Sequence, residues 1–145
     1  MNYKYFFLSV LALGLAFTSC NKDEDDDHDD MFGYHAHIHS PNGHDKFMGD
    51  TIDIIVNFED HHGGTVHHIN VRIFNKATDE EIYDQPADAH VHAVSGAYEF
   101  SDRLVLSEAN GVTAHSDWIM EAKLWGQEAG VGEEVSILEF HVHPK

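Results

Sequence analysis

The chain has 145 residues, a formal net charge of −18 and fourteen histidines, and it is long enough for one domain with a hydrophobic core. The charge argues against nucleic acid or an anionic membrane surface as a partner, because both would repel the chain, and it favours cations. The single cysteine, Cys20, excludes an intrachain disulfide and any metal site built from several thiolates.

Residues 1–19 are predicted to be a lipoprotein signal peptide. Lys4 precedes an apolar run at 5–17, which is short for a membrane span, and Thr18 and Ser19 precede Cys20. The segment "LAFTSC" resembles a bacterial lipobox, with Phe17 where leucine is commoner. The resemblance implies that Cys20 is lipidated and becomes the mature N-terminus. The alternative is an ordinary cleaved signal peptide with a chance cysteine.

Residues 20–30 are predicted to form an acidic, disordered linker, because a dense run of like charges repels itself. The segment "CNKDEDDD" also resembles the export signal of surface lipoproteins in the Bacteroidota. This resemblance implies a place on the cell surface, at the outer face of the outer membrane. An anchor that faces the periplasm remains the alternative.

Residues 31–145 show the alternation typical of β-strands, in segments separated by turn residues. Three segments carry it most clearly: "GDTIDIIVNFED", "DWIMEAKLWGQ" and "EEVSILEFHVH". The side chains predicted to face inward in them are Ile52, Ile54, Val56 and Phe58; Trp118, Met120, Ala122 and Leu124; and Leu138, Phe140 and Val142. Trp125 is predicted to face the other way and to cover a sheet face.

The pattern predicts an all-β domain, an antiparallel β-sandwich of seven or eight short strands. Its opening, "SPNGHDKFMGDTIDIIVNFEDHHGG", resembles the start of many bacterial immunoglobulin-like domains. The whole chain resembles a small Bacteroidota lipoprotein with a single domain of this kind. The resemblance implies the fold and the location, and it carries no catalytic residue.

Histidines recur at every second position in three segments, "HAHIH", "HVH" and a second "HVH". On a strand, residues i and i+2 lie on one face about 6.5–7 Å apart, so that two imidazoles there can converge on one ion. Zinc and copper both accept imidazole nitrogen. The repetition therefore predicts a transition-metal site built on strands.

If the first and last strands are neighbours, the histidines divide between two ends of the sandwich. The group expected at one end is His39, His44, His90, His92, His115, His141 and His143. The segment "HHGGTVHH" is expected at the other end. The predicted ligands are His37, His39, His141 and His143, with His90 and His92 as further ligands. Asp45, Asp88 and Glu139 are predicted to orient the imidazoles through their second nitrogens.

Three functions remain open at this stage. The first is a lipid-anchored module that captures, buffers or delivers zinc or copper at the cell envelope, with an envelope protein as a further partner. The second is an adhesion or accessory module that binds protein or glycan, with incidental histidines. The third is a metalloenzyme, which is disfavoured because no catalytic motif is present. Histidines on an acidic surface also predict a steep change of charge between pH 5 and 7, which needs no metal.

Overall fold

The structure is a computed structural model that describes residues 33–87, 89–128 and 131–145. The predicted signal peptide, Cys20 and the acidic linker lie outside these residues. Among the described residues, no helix is long and apolar enough to cross a membrane. The strands are β1 (Tyr34–Ser40), β2 (Lys46–Phe47), β3 (Thr51–Asp60), β4 (Val66–Asn75), β5 (Glu81–Gln85), β6 (His90–Ala93), β7 (Ala97–Val105), β8 (Ser116–Trp125) and β9 (Glu134–His143).

The strands form two sheets that pack face to face. One sheet has three strands in the order β1-β3-β7. The other has six strands in the order β2-β9-β8-β4-β5, and β6 also pairs with β4. All pairs are antiparallel except that of β2 with β9. The fold is an immunoglobulin-like β-sandwich, as the sequence predicts. The described residues contain nine strands instead of seven or eight, because β2 and β6 are short strands that alternation alone does not reveal.

Most of the core consists of the side chains that alternate inward along β3, β4, β8 and β9, and β1, β5 and β7 add buried side chains to it. The predicted inward faces of β3 and β8 are confirmed, and Trp118 is the largest fully buried side chain. No polar or charged side chain is buried among the described residues. Because apolar side chains occupy every second position, the side chains between them face solvent, and most strand histidines are among these.

A hydrogen bond also joins the two sheets, and it is made by one of the core side chains, Tyr83. The hydroxyl of Tyr83 on β5 donates a hydrogen bond to Oδ2 of Asp102 on β7, at 2.7 Å. Burial and this bond raise the pKa of Tyr83 well above its ordinary value. The phenol therefore stays protonated at physiological pH and remains the donor in this contact.

The first and last strands lie in different sheets. β1 pairs with β3, whereas β9 pairs with β8 and, at Val142 and His143, with β2. Tyr34 and Ala36 on β1 face the core, as do Phe140 and Val142 on β9. The intervening histidines of the two strands therefore lie on the outer faces of different sheets. The two strands lie close together without pairing, and their histidines do not form the single ligand set that was expected.

Replacement of Ile54 by alanine should lower the free energy of unfolding by about 2–5 kcal/mol, because a fully buried isoleucine leaves a cavity. Ile137→Ala is the matched control. Its side chain is 59% exposed, and its loss should change the free energy by no more than about 0.5 kcal/mol. Chemical denaturation followed by tryptophan fluorescence measures both. Equal losses would contradict the assigned faces of β3 and β9.

Candidate metal-binding sites

Three groups of side chains bring metal-ligating atoms together among the described residues. In each group, one ligand atom from each residue lies within 4.8 Å of the others. We name them the His115 cluster (His115, His141 and His143), the His67 cluster (His67, His90 and His92) and the His37 cluster (His37, Glu59 and His61).

The His115 cluster lies where β8 begins and β9 ends. His141 and His143 are two positions apart on the outer face of β9, and their ring centroids are 4.5 Å apart. His115 immediately precedes β8, and its backbone N–H donates to the carbonyl of Val142 at 2.7 Å. This bond holds His115 against the last strand, with its ring centroid 6.4 Å from that of His143.

Carboxylates orient two imidazoles of this cluster. Nδ1 of His141 donates to Oδ1 of Asp117 at 2.7 Å, and Nε2 of His143 donates to Oδ2 of Asp45 at 3.0 Å. An imidazole bonded in this way through one nitrogen keeps the other nitrogen for a metal ion, which is the usual arrangement of a metal-binding histidine. The structure thus brings Asp45 to a candidate ligand.

The other predicted acids are placed differently. Glu139 forms an ion pair with Lys76 instead, at 2.6 Å. Asp88 lies outside the described residues. Asp117 was missed by the sequence reasoning, although its position opposite His141 on the neighbouring strand follows from the register of β8 and β9.

The His67 cluster lies at the other end of the six-stranded sheet, where β4 begins. β6 pairs with the first residues of β4, with Val66 opposite Ala93 and His68 opposite His90. β6 has one extra residue between these pairs, which is a β-bulge. The bulge brings His92 beside His67, with ring centroids 5.0 Å apart.

This placement corrects the expected grouping of histidines. His90 and His92 were expected at the same end as His141 and His143, and the structure places them with His67 instead. His68 lies opposite Trp125 at the end of β8, whereas His115 precedes its start. A ten-residue strand is about 30 Å long. The His67 and His115 clusters are therefore separate sites, about that far apart.

Left-handed backbone occurs in the His67 cluster and in the His115 cluster. Among the described residues other than glycine, positive φ is found at Asp79 (58°), His92 (48°) and His115 (58°). Such conformations are uncommon, although histidine is one of the residues that adopts them more readily. Residues held in this way concentrate at functional sites. His92 in the His67 cluster and His115 in the His115 cluster therefore have a backbone conformation that costs free energy to maintain.

The imidazoles of the His67 cluster change the acidity of one of its members. Burial and the neighbouring rings of His92, His68 and His90 lower the pKa of His67 below its ordinary value of 6.5. Neutral imidazole is the form that binds a metal ion. His67 therefore keeps its ligand form to a lower pH than an isolated histidine does.

The His37 cluster lies on the outer face of the three-stranded sheet. Nε2 of His61 lies 3.1 Å from Oε2 of Glu59, and the ring of His35 packs against that of His61 with centroids 4.4 Å apart. Two imidazoles and a carboxylate form a mixed ligand set. Glu59 and His61 were not predicted as ligands of His37, because the pairing of β1 with β3 had not been inferred from the sequence.

Five of the six predicted ligands are thus divided among the three clusters, and the sixth lies outside them. His37 belongs to the His37 cluster, His90 and His92 to the His67 cluster, and His141 and His143 to the His115 cluster. His39 is exposed next to an irregularity in the pairing of β1, and it belongs to none of the three clusters. Metal binding by these residues remains a prediction.

Comparisons with known proteins agree on the fold. No protein family and no curated protein matches the chain. Among solved structures, it is similar to the solution structure of a CARDB domain from Pyrococcus furiosus, with a TM-score of 0.52 and 11% identity, over 77% of this chain and 95% of that one. The likeness concerns the fold.

Two further solved structures show weaker likeness. A crystal structure of the same Pyrococcus furiosus domain, in complex with di-metal ions, has a TM-score of 0.46 and 8% identity over 79% of this chain and 94% of that one. A β-glucosidase from Listeria innocua in complex with glucose has a TM-score of 0.45 and 9% identity over 77% of this chain, which corresponds to 16% of the enzyme.

In the metal-free protein, the NMR titration midpoint of His67 should lie below 6.5, and His92→Ala should raise it, because one neighbouring cation is removed. His39→Ala, outside the clusters, is the control and should leave the midpoint unchanged. Because the pKa of His67 is lowered in the folded protein, the free energy of unfolding also depends on pH. The unfolded chain takes up this proton more readily, so His67 lowers the free energy of unfolding as the pH falls below 6.5. A midpoint at or above 6.5 would show that the four rings are not crowded.

Proposed function

We propose that the chain binds a transition-metal ion, zinc or copper, at the cell envelope. The observation that carries the proposal is the His115 cluster. Three imidazole nitrogens lie within 4.8 Å of one another, and two of the rings are already bonded to carboxylates. Preorganised ligands of this type lose little conformational freedom when an ion binds.

The geometry requires only a small adjustment to hold an ion. Zinc lies about 2.0–2.1 Å from each histidine nitrogen in a tetrahedral site, which places neighbouring nitrogens about 3.3 Å apart. The nitrogens of the cluster are within 4.8 Å, and His115 is exposed. Rotation of partly exposed side chains can close the difference. Three histidine ligands leave a fourth position for water or for a ligand from another protein.

Charge supports the same function. The net charge of −18 raises the local concentration of cations around the domain. A ring that donates to a carboxylate is also a more basic metal ligand. Both effects favour capture of a divalent ion over binding of an anionic partner.

We also propose that the domain is attached to the outer membrane, on the cell surface, through a lipid on Cys20. The features that support this location are the apolar run at 5–17, the small residues before Cys20 and the acidic segment after it. The acidic segment would serve as a spacer between the lipid and the domain. The role we propose is capture, buffering or delivery of the metal, without catalysis.

Residues 31–145 contain every core side chain of the described fold, so this fragment suits a titration. Calorimetry with zinc and copper(II) should show binding at micromolar affinity or tighter, because three imidazoles coordinate the ion. His141→Ala with His143→Ala should weaken binding at this site by at least about 100-fold, since loss of an orienting group alone costs 10–100-fold.

His37→Ala with His39→Ala is the matched control for this titration. It removes a His-x-His pair from the three-stranded sheet, outside the His115 cluster, and should leave binding at that cluster unchanged. Elemental analysis of the dialysed protein gives the stoichiometry. If zinc binding survives the loss of His141 and His143 unchanged, the His115 cluster is not the site and the ion is bound elsewhere. If neither zinc nor copper(II) binds the unchanged fragment, an adhesion or accessory module becomes the better interpretation.

The carboxylates provide a second test at the same site. Asp117→Asn with Asp45→Asn should weaken zinc binding by about 10–100-fold while leaving all three imidazoles in place. Asp53→Asn is the control, because Asp53 pairs with Arg103 on the other sheet. An unchanged zinc affinity in the double variant would show that the carboxylates do not orient the ligands.

A further inference from the structure

Four imidazoles meet where β4 and β6 pair. The centroid of the His68 ring lies 4.9 Å from that of His90, and the His90 ring lies 5.4 Å from that of His92. His67 completes the group, with its ring 5.0 Å from that of His92 and 6.3 Å from that of His68. A fourth imidazole, that of His68, therefore lies beside the His67 cluster, outside the set of ligand atoms that are within 4.8 Å of one another. We call His67, His68, His90 and His92 the four-histidine site.

The tautomer of His68 suits it to bind an ion. Its Nδ1 lies 2.8 Å from the carbonyl oxygen of Gly126. A carbonyl only accepts, so Nδ1 carries the proton and Nε2 of the neutral ring carries a lone pair. A histidine whose Nδ1 donates to a backbone carbonyl while Nε2 binds metal is a common arrangement.

An indole ring covers one side of this site. Trp125 stacks on His68 with centroids 5.2 Å apart and an angle of 9° between the planes. Nζ of Lys123 lies 5.2 Å from the indole centroid on the same face of the sheet. The only other tryptophan, Trp118, is fully buried in the core. Trp125 is therefore the tryptophan that responds to events at the four-histidine site.

We propose that His67, His68, His90 and His92 form a second metal site, which takes copper(II) in an all-imidazole ligand set. Copper(II) binds nitrogen ligands more tightly than the other divalent ions of its series and accepts four of them in a tetragonal arrangement. The bulge in β6 and the left-handed backbone of His92 turn two histidines of one short strand toward those of β4.

This site is independent of the one in the proposed function. The length of β8 separates them, and they have no residue in common. The test therefore uses residues 31–145 with His141→Ala and His143→Ala, which removes the first site. Failure of copper binding in this background would refute the second site and leave the first intact.

In this background, one equivalent of copper(II) should quench the fluorescence of Trp125 to saturation. The electron paramagnetic resonance spectrum should show hyperfine coupling to several imidazole nitrogens. Adding His90→Ala with His92→Ala should weaken copper binding by at least about 100-fold. His39→Ala with His44→Ala is the matched control, because these exposed histidines belong to no cluster, and it should change neither signal.

Trp125→Phe tests where the copper ion lies without removing any of its proposed ligands. It should abolish the quenching while the stoichiometry stays at one copper ion per chain. Quenching that persists in this variant would mean that Trp118 reports an ion elsewhere. Copper binding that survives the loss of His90 and His92 would overturn the proposal as well. Near-ultraviolet circular dichroism checks that each variant keeps the packing of Trp118.

Discussion

Burial of alternate side chains between the two sheets is the constraint on which the rest of the molecule depends. Trp118, Phe58 and the aliphatic side chains around them occupy the inner faces completely. A strand reverses its side chains at every residue, so the positions between must face outward. The histidines of β1 and β9 are such intervening positions, and core packing therefore fixes the surface on which each pair lies.

Regular strands provide pairs of imidazoles, and irregular backbone completes the clusters. His141 and His143 are a plain i, i+2 pair on β9, and the third member, His115, comes from a left-handed residue before β8. In the His67 cluster, the irregularity lies within the pair itself, at the bulge of β6. A straight strand alone would leave each pair without the third ligand that raises affinity and geometric selectivity.

Alternation predicted the fold and the face of most histidines, because both depend on local sequence. The inward series from Ile52 to Phe58 and from Trp118 to Leu124 are found as expected. The end of the sandwich to which a histidine belongs depends instead on which strands pair. The pairing of His68 with His90, across a loop and a bulge, follows from tertiary packing that a two-residue period does not encode. The partners Asp117 and Glu59 were missed for the same reason.

The two candidate sites also differ in how far apart their residues are along the chain. The four imidazoles of the four-histidine site come from the single stretch 67–92, with Trp125 and Gly126 beside His68. The contact of Asp45 with His143 joins residues 98 positions apart. Closing a longer loop costs more entropy and is slower. We therefore expect the sites to assemble in a fixed order. The stretch 67–92 can come together before β9 pairs with β8, and the His115 cluster forms only when β9 has docked. Completion of that cluster would thus mark the docking of β9 on β8.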